Sequence, residues 1–114
     1  APYWVSYPDM IKLADAEPVI VSAGLDDGFK ISPRALEAAI TPRTRLLFLN
    51  SPSNPTGAAY TRAELEALGE VLLRYPGIII GADDMYEHIY WAAEPFVSLA
   101  AACPGLADRV VTIN

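Results

Sequence analysis

Two short motifs, separated by one helical segment, place side chains capable of chemistry at the ends of apolar runs. Asn54–Gly57 (Asn-Pro-Thr-Gly) follows the run Leu46–Leu49, and Asp83–Tyr86 (Asp-Asp-Met-Tyr) follows the run Ile78–Ala82. Open α/β sheets bind ligands where their strands end. A carboxylate, a phenol and an amide that converge at such an edge suit a flat heteroaromatic ring with a ring nitrogen and a ring hydroxyl.

Four apolar segments are expected to be the strands that position these motifs. They are Pro18–Ser22, Thr44–Leu49, Ile78–Ala82 and Val110–Ile113. These segments do not alternate with polar residues, which is typical of parallel strands buried on both faces. Because predicted helices lie between them, the sequence indicates an α/β fold with a mainly parallel sheet in a three-layer α/β/α arrangement.

Three helices are predicted from capping signals. The first begins at Ser6, which has Asp9 at capping-box spacing. The apolar stripe of this helix is expected to be Met10, Leu13 and Ala14. The second begins at Ser32, with proline in the first-turn position where a missing N–H costs nothing. The third begins at Thr61, whose capping-box partner is Glu64.

Charge and composition exclude several classes of protein. Lys and Arg number 8 and Asp and Glu 14, for a net charge of −6, which argues against nucleic-acid and anionic-membrane partners. The apolar runs are far shorter than the roughly 20 residues that cross a membrane. Cys103 is the single cysteine, which excludes an intrachain disulfide and is compatible with a reducing compartment such as the cytoplasm. With no signal-peptide pattern at Ala1, and 53% hydrophobic residues, we expect an internal piece of a larger enzyme.

Four blocks of sequence carry a family resemblance. They occur in the order Pro2–Pro8, Ile40–Thr44, Asn50–Gly57 and Asp83–His88. Together they resemble the large domain of class I aminotransferases, which are fold-type-I pyridoxal-phosphate enzymes. The amino-acid sequences of the blocks are most similar to those of the bacterial gamma subgroup of aspartate aminotransferases. The resemblance covers essentially the whole chain, so we interpret residues 1–114 as an internal portion of that large, cofactor-binding domain.

The resemblance implies a role for five residues toward pyridoxal phosphate. Asp83 would pair with the pyridine nitrogen and keep it protonated. Tyr86 and Asn54 would hydrogen-bond the ring oxygen, and Asn54 would also help to bind the substrate carboxylate. Trp4 would stack on the ring face and border the substrate. Tyr7 is expected either to orient Asp83 or simply to pack.

The remaining candidate residues are interpreted as non-catalytic. Asp84 and Glu87 are expected to be solvated or capping acids. His88 is the only histidine and has no second ligand at metal spacing, so we expect a structural role and no metal site. Cys103 has no base partner nearby in sequence and is expected to be inert.

The resemblance also implies that the chain alone is inactive. Enzymes of this type hold the cofactor as a Schiff base to a lysine, which also moves the proton. The lysines here are Lys12 and Lys30, and neither follows a strand end in the family's Ser-x-x-Lys context. The resemblance places that lysine just after Asn114.

The expected activity of the parent protein is amino-group transfer from an amino acid, with aspartate the leading candidate, to a 2-oxo acid. The resemblance further implies a cytoplasmic homodimer. Two alternatives stay open at this point. One is a lyase or synthase of the same fold that uses the same cofactor, and the other is a non-catalytic, cofactor-sensing domain of a regulator.

Three geometric expectations follow. Trp4, Asn54, Asp83 and Tyr86 should line one cavity of about 300–1,000 Å³ at the carboxyl edge of the sheet. The resemblance implies cis bonds before Pro2 and Pro55. It also implies a strand preceding Ala1 that separates Pro18–Ser22 from Thr44–Leu49, so that these two segments are not paired, whereas the other three strands form a parallel sheet with Ile78–Ala82 in the centre.

Overall fold

A three-stranded parallel sheet organises the chain, which the computed structural model describes over residues 1–114. The strands are β1 (Leu46–Asn50), β2 (Ile79–Asp83) and β3 (Val110–Ile113), in the order β1-β2-β3. The expected parallel core with a central second strand is therefore confirmed. Asn50, the last residue of β1, is in register with Asp83 of β2, so the strand that leads to Asn54–Gly57 ends beside the first residue of Asp83–Tyr86.

Four α-helices and two short 3₁₀ segments surround the sheet. The helices are α1 (Tyr7–Leu13), α2 (Pro33–Ala39), α3 (Arg62–Leu73) and α4 (Leu99–Ala102), and the 3₁₀ segments are Leu25–Asp27 and Pro104–Arg109. Ser32 caps α2 through its hydroxyl, and Thr61 with Glu64 forms the predicted capping box of α3. Ser6 precedes α1 but makes no side-chain capping bond, so the capping box predicted there is wrong. No helix is both long and apolar enough to cross a membrane.

The hydrophobic core lies on one face of the sheet. Ile80 and Ala82 of β2, exposed by 0% and 2%, pack there with Leu65, Leu68 and Leu72 of α3. Alternation along the strand sends every second side chain of β2 to this face. The core begins in sequence at Leu36 and takes no residue from the first thirty.

The opposite face of the sheet is mostly open. Leu46 and Ile79 are each 45% exposed, and the predicted apolar stripe of α1 is also exposed, at 47% for Met10 and 87% for Leu13. The buried residue of α1 is Tyr7. The expectation that the strands are buried on both faces is therefore wrong for this chain, because α2, α3 and α4 cover one face and α1 alone lies against the other.

Pro18–Ser22 does not form the predicted strand. It lies between α1 and α2 in the sequence and pairs with neither edge of the sheet. Its neighbour is Ala1, whose amino group donates to Val21 O and whose carbonyl accepts from Ala23 N at 2.8 Å. A cavity of about 890 Å³ lies between this segment and β1. The expectation that Pro18–Ser22 is not laddered to β1 is confirmed.

Gly69 of α3 provides a test of core packing. A Cβ at this position would overlap Cys103 Sγ and approach Leu106 Cδ1 to 3.6 Å. We expect Gly69→Ala to lower the free energy of unfolding by about 1–3 kcal/mol, because overpacking outweighs the better helix propensity of alanine. Urea unfolding of Gly69→Ala, with and without Cys103→Ala, measures this. The second substitution should restore most of the loss, and equal stability of Gly69→Ala and wild type would contradict the packing argument.

Candidate functional site

Asp83 is the last residue of β2, and two donors hold its carboxylate. The Tyr7 hydroxyl donates to Oδ2, and the backbone N–H of Met85 donates to Oδ1 at 3.2 Å. Its carbonyl oxygen accepts from Asn50 Nδ2 at 2.8 Å and from Ser51 N at 3.1 Å. Both the side chain and the backbone of Asp83 are therefore fixed at the carboxyl edge of the sheet.

Tyr7, the first residue of α1, connects Asp83 to two other aromatic side chains, Phe48 of β1 and Trp4. Its ring stacks on Phe48 at a centroid distance of 5.3 Å and an interplanar angle of 20°, and Trp4 meets it edge-on at 5.7 Å. Tyr7 is only 8% exposed. Burial, and then the hydrogen bond and charge of Asp83, raise the pKa of the Tyr7 phenol. The phenol thus keeps its proton at neutral pH and donates it to the Asp83 carboxylate.

The Asn54 turn is tied to Asp83 through Asn50. Asn50 Oδ1 accepts from Asn54 N at 2.8 Å, while its Nδ2 donates to the carbonyl of Asp83. Asn54 Nδ2 in turn lies 3.3 Å from the Tyr86 hydroxyl, to which it donates. The bonds before Pro2 and Pro55 are cis, as expected, and a third cis bond precedes Pro52.

All five predicted residues therefore belong to one connected group at the expected edge. Trp4, Tyr7 and Asp83 form one branch, and Asn54 with Tyr86 forms the other. The cavity of about 890 Å³ has the expected size but is lined by none of Trp4, Asn54, Asp83 and Tyr86, so a shared cavity for these four residues stays a prediction. Its size reflects the unpaired edge of β1, and only Tyr7 among the five borders it.

Three further residues shape this group and were not predicted. Asn50 bridges the two branches, Phe48 supports Tyr7, and Gly81 faces the Phe48 ring. The sequence carried a signal for Asn50, because a polar amide ends an otherwise apolar strand. Phe48 and Gly81 lie within apolar runs that look like ordinary strand interior, so only the register between β1 and β2 reveals their contact.

Asp84 is not the solvated acid that we expected. It is 4% exposed, and its Oδ2 has no hydrogen-bond partner. The reason is that it continues the alternation of β2 onto the core face, two positions after Ala82. Burial, and then the charges of Glu87 and Asp83, raise the pKa of its carboxyl to about 6.

This burial predicts a pH dependence of stability. The folded-state pKa of Asp84 lies above its ordinary value of 3.8, so the neutral acid is favoured by folding. Stability linked to Asp84 is therefore complete below about pH 4 and is lost as the pH rises through about 6. We expect Asp84→Asn to remove this loss and to raise the free energy of unfolding at pH 7 by on the order of 1 kcal/mol. Urea unfolding of the wild type and of Asp84→Asn at pH 5 and pH 7 measures this effect. If the free energy of unfolding changed equally in both proteins between the two pH values, the assignment to Asp84 would be contradicted.

The other candidate residues lie outside this group. Lys12 pairs with Asp9 on α1, and Lys30 pairs with Glu64 at 2.6 Å at the start of α3. The His88 side chain is 93% exposed, with its Nε2 atom 3.4 Å from Glu87 Oε1, so it has no part in the packed interior and the expected structural role is wrong. Burial raises the pKa of the Cys103 thiol, which donates to Leu65 O. No group of three His, Cys, Asp or Glu side chains is close enough to hold a metal ion.

The donor set at this edge fits the ring of pyridoxal phosphate. An anchored carboxylate suits a protonated ring nitrogen, and the paired amide and phenol of Asn54 and Tyr86 are two donors for a ring oxygen. Trp4 is 44% exposed, so its ring face is free to stack on a flat ligand. This combination of groups is chemically able to bind the ring and to stabilise negative charge on it.

Comparison with known proteins assigns the family. The model of the family "Aminotransferase class I and II" matches residues 1–113. The chain belongs to this aminotransferase family. The fold described above agrees, because solved aminotransferase structures superpose on nearly the whole chain.

Individual aminotransferases are similar over the full chain. The aspartate/prephenate aminotransferases of Cereibacter sphaeroides and Nitrosomonas europaea are 60% and 54% identical over 114 residues, which is 100% of this chain and 28% and 29% of theirs. The crystal structure of the aspartate aminotransferase from Rhizobium meliloti has a TM-score of 0.95 and 48% identity, covering 98% of this chain and 28% of that one. The chain thus spans less than a third of the length of these aminotransferases.

Proposed function

We propose that this chain is an internal portion of the large domain of a pyridoxal-phosphate-dependent aminotransferase. The parent protein would move an amino group from aspartate to a 2-oxo acid, for which prephenate is a candidate acceptor because two relatives carry it in their names. The observation that carries the proposal is the Asp83 carboxylate, held by Tyr7 at the end of β2 and linked through Asn50 to the Asn54–Tyr86 pair.

Each residue of the group has a proposed task toward the cofactor. Pyridoxal phosphate, when bound, supplies an electron-accepting ring that stabilises the carbanion left when an amino acid loses its α-proton. Asp83 keeps the ring nitrogen protonated, which makes the ring a better acceptor. Asn54 and Tyr86 donate to the ring oxygen, and Asn54 also contacts the substrate carboxylate. Trp4 covers one ring face and borders the substrate, and Tyr7 orients Asp83.

The same proposal includes the cellular location, oligomeric state and partners of the parent protein. We place the parent enzyme in the cytoplasm as a homodimer, with an amino acid and a 2-oxo acid as its substrates and neither nucleic acid nor membrane as a partner. The free, buried Cys103 and the net charge of −6 support this setting. The lysine that would hold the cofactor covalently is proposed to follow Asn114 in the parent.

A single-turnover experiment tests the reaction class. The full-length protein that carries this chain, loaded with pyridoxal phosphate, is mixed with one equivalent of aspartate and no acceptor. We expect oxaloacetate and pyridoxamine phosphate in equal amounts, because the amino group stays on the cofactor. In a parallel reaction with cysteine, release of pyruvate, ammonia and hydrogen sulfide would identify a lyase and contradict the proposal. Binding of cofactor with no product at all would favour the regulator domain.

The 114-residue chain alone is expected to show no transaminase turnover. Both of its lysines are engaged in ion pairs, with Asp9 and with Glu64, and neither contacts Asp83. Activity is compared with free pyridoxal phosphate under the same conditions, and borohydride followed by mass spectrometry maps any adduct. An adduct on Lys12 or Lys30 together with activity above the free cofactor would contradict this prediction.

A further inference from the structure

Gly81 gives the Phe48 ring its place on the open face of the sheet. The two residues are paired in register between β1 and β2. A Cβ on Gly81 would lie 3.0 Å from Phe48 Cε1 and 3.2 Å from Cδ1, which is closer than a carbon–carbon contact of about 3.5–4.0 Å. A side chain at position 81 would therefore force the Phe48 ring to shift from its present position.

Phe48 in turn supports Tyr7. The Phe48 and Tyr7 rings are nearly parallel, at 20° and 5.3 Å, and the Tyr7 hydroxyl reaches Asp83 Oδ2. Asp83 is two positions beyond Gly81, so the two lie on the same face of β2. Gly81, Phe48, Tyr7 and Asp83 thus form a closed column that begins and ends on one strand.

Tyr7 depends on this support because little else fixes its helix. It is the one buried residue of α1, which has seven residues and no side-chain cap at its start. Met10 and Leu13 of the same helix are 47% and 87% exposed in this chain. The Phe48 ring, together with the edge of Trp4, is therefore the aromatic surface against which the Tyr7 phenol is held in line with Asp83.

We propose that Phe48, admitted by Gly81, is a positioning residue that holds the Tyr7 phenol against Asp83 and thereby sets the affinity of the site for the cofactor's ring nitrogen. This inference rests on the proposed function of Asp83. It assigns a task to two apolar residues that touch neither cofactor nor substrate. Their effect should therefore pass through the Tyr7 hydroxyl.

A double-mutant cycle on the full-length protein tests this route. The dissociation constant of pyridoxal phosphate is measured for the cofactor-free protein by equilibrium dialysis. We expect Phe48→Leu to weaken binding by about 2- to 10-fold, the range for loss of one aromatic pair. In a Tyr7→Phe background, which keeps the stacked ring and lacks the hydroxyl, Phe48→Leu should change binding by less than about twofold. Phe96→Leu, which disrupts the distant Tyr90–Phe96 pair, is the matched control and should leave binding unchanged.

A second variant, Gly81→Ala, tests the same contact by changing Gly81 instead of Phe48. Gly81→Ala should weaken cofactor binding as Phe48→Leu does, because the new methyl group displaces the ring. The Gly81→Ala/Phe48→Leu double variant should bind no worse than Phe48→Leu alone. Thermal midpoints of the cofactor-free proteins separate binding from folding, and this variant carries the test if Phe48→Leu does not fold.

The outcomes distinguish this inference from the function on which it rests. Equal losses from Phe48→Leu in the Tyr7 and Tyr7→Phe backgrounds would overturn the inference and leave the proposed function intact. Binding of pyridoxal phosphate by Gly81→Ala as tightly as by the wild type would also overturn the inference and leave the proposed function intact. A wild-type protein that binds no pyridoxal phosphate would overturn both.

Discussion

Replacing Asp83 with alanine is expected to lower the kcat of the full-length enzyme by about a thousandfold or more, the upper range for loss of one preorganised electrostatic partner. Asp83 is the only acidic residue among the five residues of the candidate site. Its carboxylate is held there by Tyr7 and by the N–H of Met85. On the proposed function, loss of this carboxylate would leave the ring nitrogen of pyridoxal phosphate without its proton and make the ring a poorer electron acceptor. Steady-state kinetics with aspartate and a 2-oxo acid measure the loss.

The control and the comparison variant for Asp83 lie in the same chain. Asp108→Ala removes an exposed carboxylate whose side chain makes no hydrogen bond or ion pair, and it should leave kcat unchanged. Tyr86→Phe would remove the hydrogen bond that we propose to the ring oxygen, and it should lower kcat by about tenfold to a hundredfold. A larger loss for Tyr86→Phe than for Asp83→Ala would show that the two roles are wrongly assigned.

Replacing Arg109 with methionine is expected to lower stability by about 2–4 kcal/mol. Its guanidinium donates to three backbone carbonyls between the end of α3 and the start of β2: Nη1 to Tyr75 O and Ile78 O at 3.0 and 2.8 Å, and Nη2 to Leu72 O at 2.7 Å. The last carbonyls of a helix have no partner within the helix. Methionine keeps the apolar stem of the side chain and removes all three of these hydrogen bonds, so that Leu72 O and Tyr75 O keep only the backbone N–H groups of Tyr75 and Ile78.

Hydrogen exchange of the backbone amides of α3 measures this effect region by region. Arg34→Met on the exposed surface of α2, where the side chain makes no hydrogen bond or ion pair, is the matched control and should change nothing. Faster exchange throughout α3 in Arg109→Met is the expected result. Unchanged exchange in α3 would mean that water replaces the guanidinium at little cost.

Local sequence rules predicted the elements that carry strong, short-range signals. The capping box of Thr61 and Glu64, the Ser32 cap, and the three paired strands lie where the patterns indicated, within a residue or two. Asn54, Asp83 and Tyr86 were found because polar side chains after apolar parallel strands meet at one edge of the sheet. Trp4 and Tyr7 follow no strand and were found through the family resemblance. The caps and the strand positions depend on residues close together in the chain.

The features that sequence did not predict depend on distant contacts. Pro18–Ser22 has a strand-like composition, but a strand exists only when a neighbour pairs with it. The four residues of α4 are too few to show helical periodicity. Asp84 looks like a surface acid until the direction of β2 is known. The contact of Phe48 with Gly81 needs the register of two strands that lie far apart in sequence.

The placement of the core after residue 35 has a consequence for how the site opens. Asp83, Asn54 and Tyr86 are attached to the part of the chain that contains all fourteen core residues, whereas Trp4 and Tyr7 belong to the part that contributes none. Regions with few buried apolar contacts separate from a fold at low free-energy cost. In this 114-residue chain, Trp4 and Tyr7 therefore belong to a part of lower local stability than the part that carries Asp83, Asn54 and Tyr86. We expect the Tyr7–Asp83 contact of this chain to break and re-form at a lower free-energy cost than unfolding of the sheet beneath Asp83.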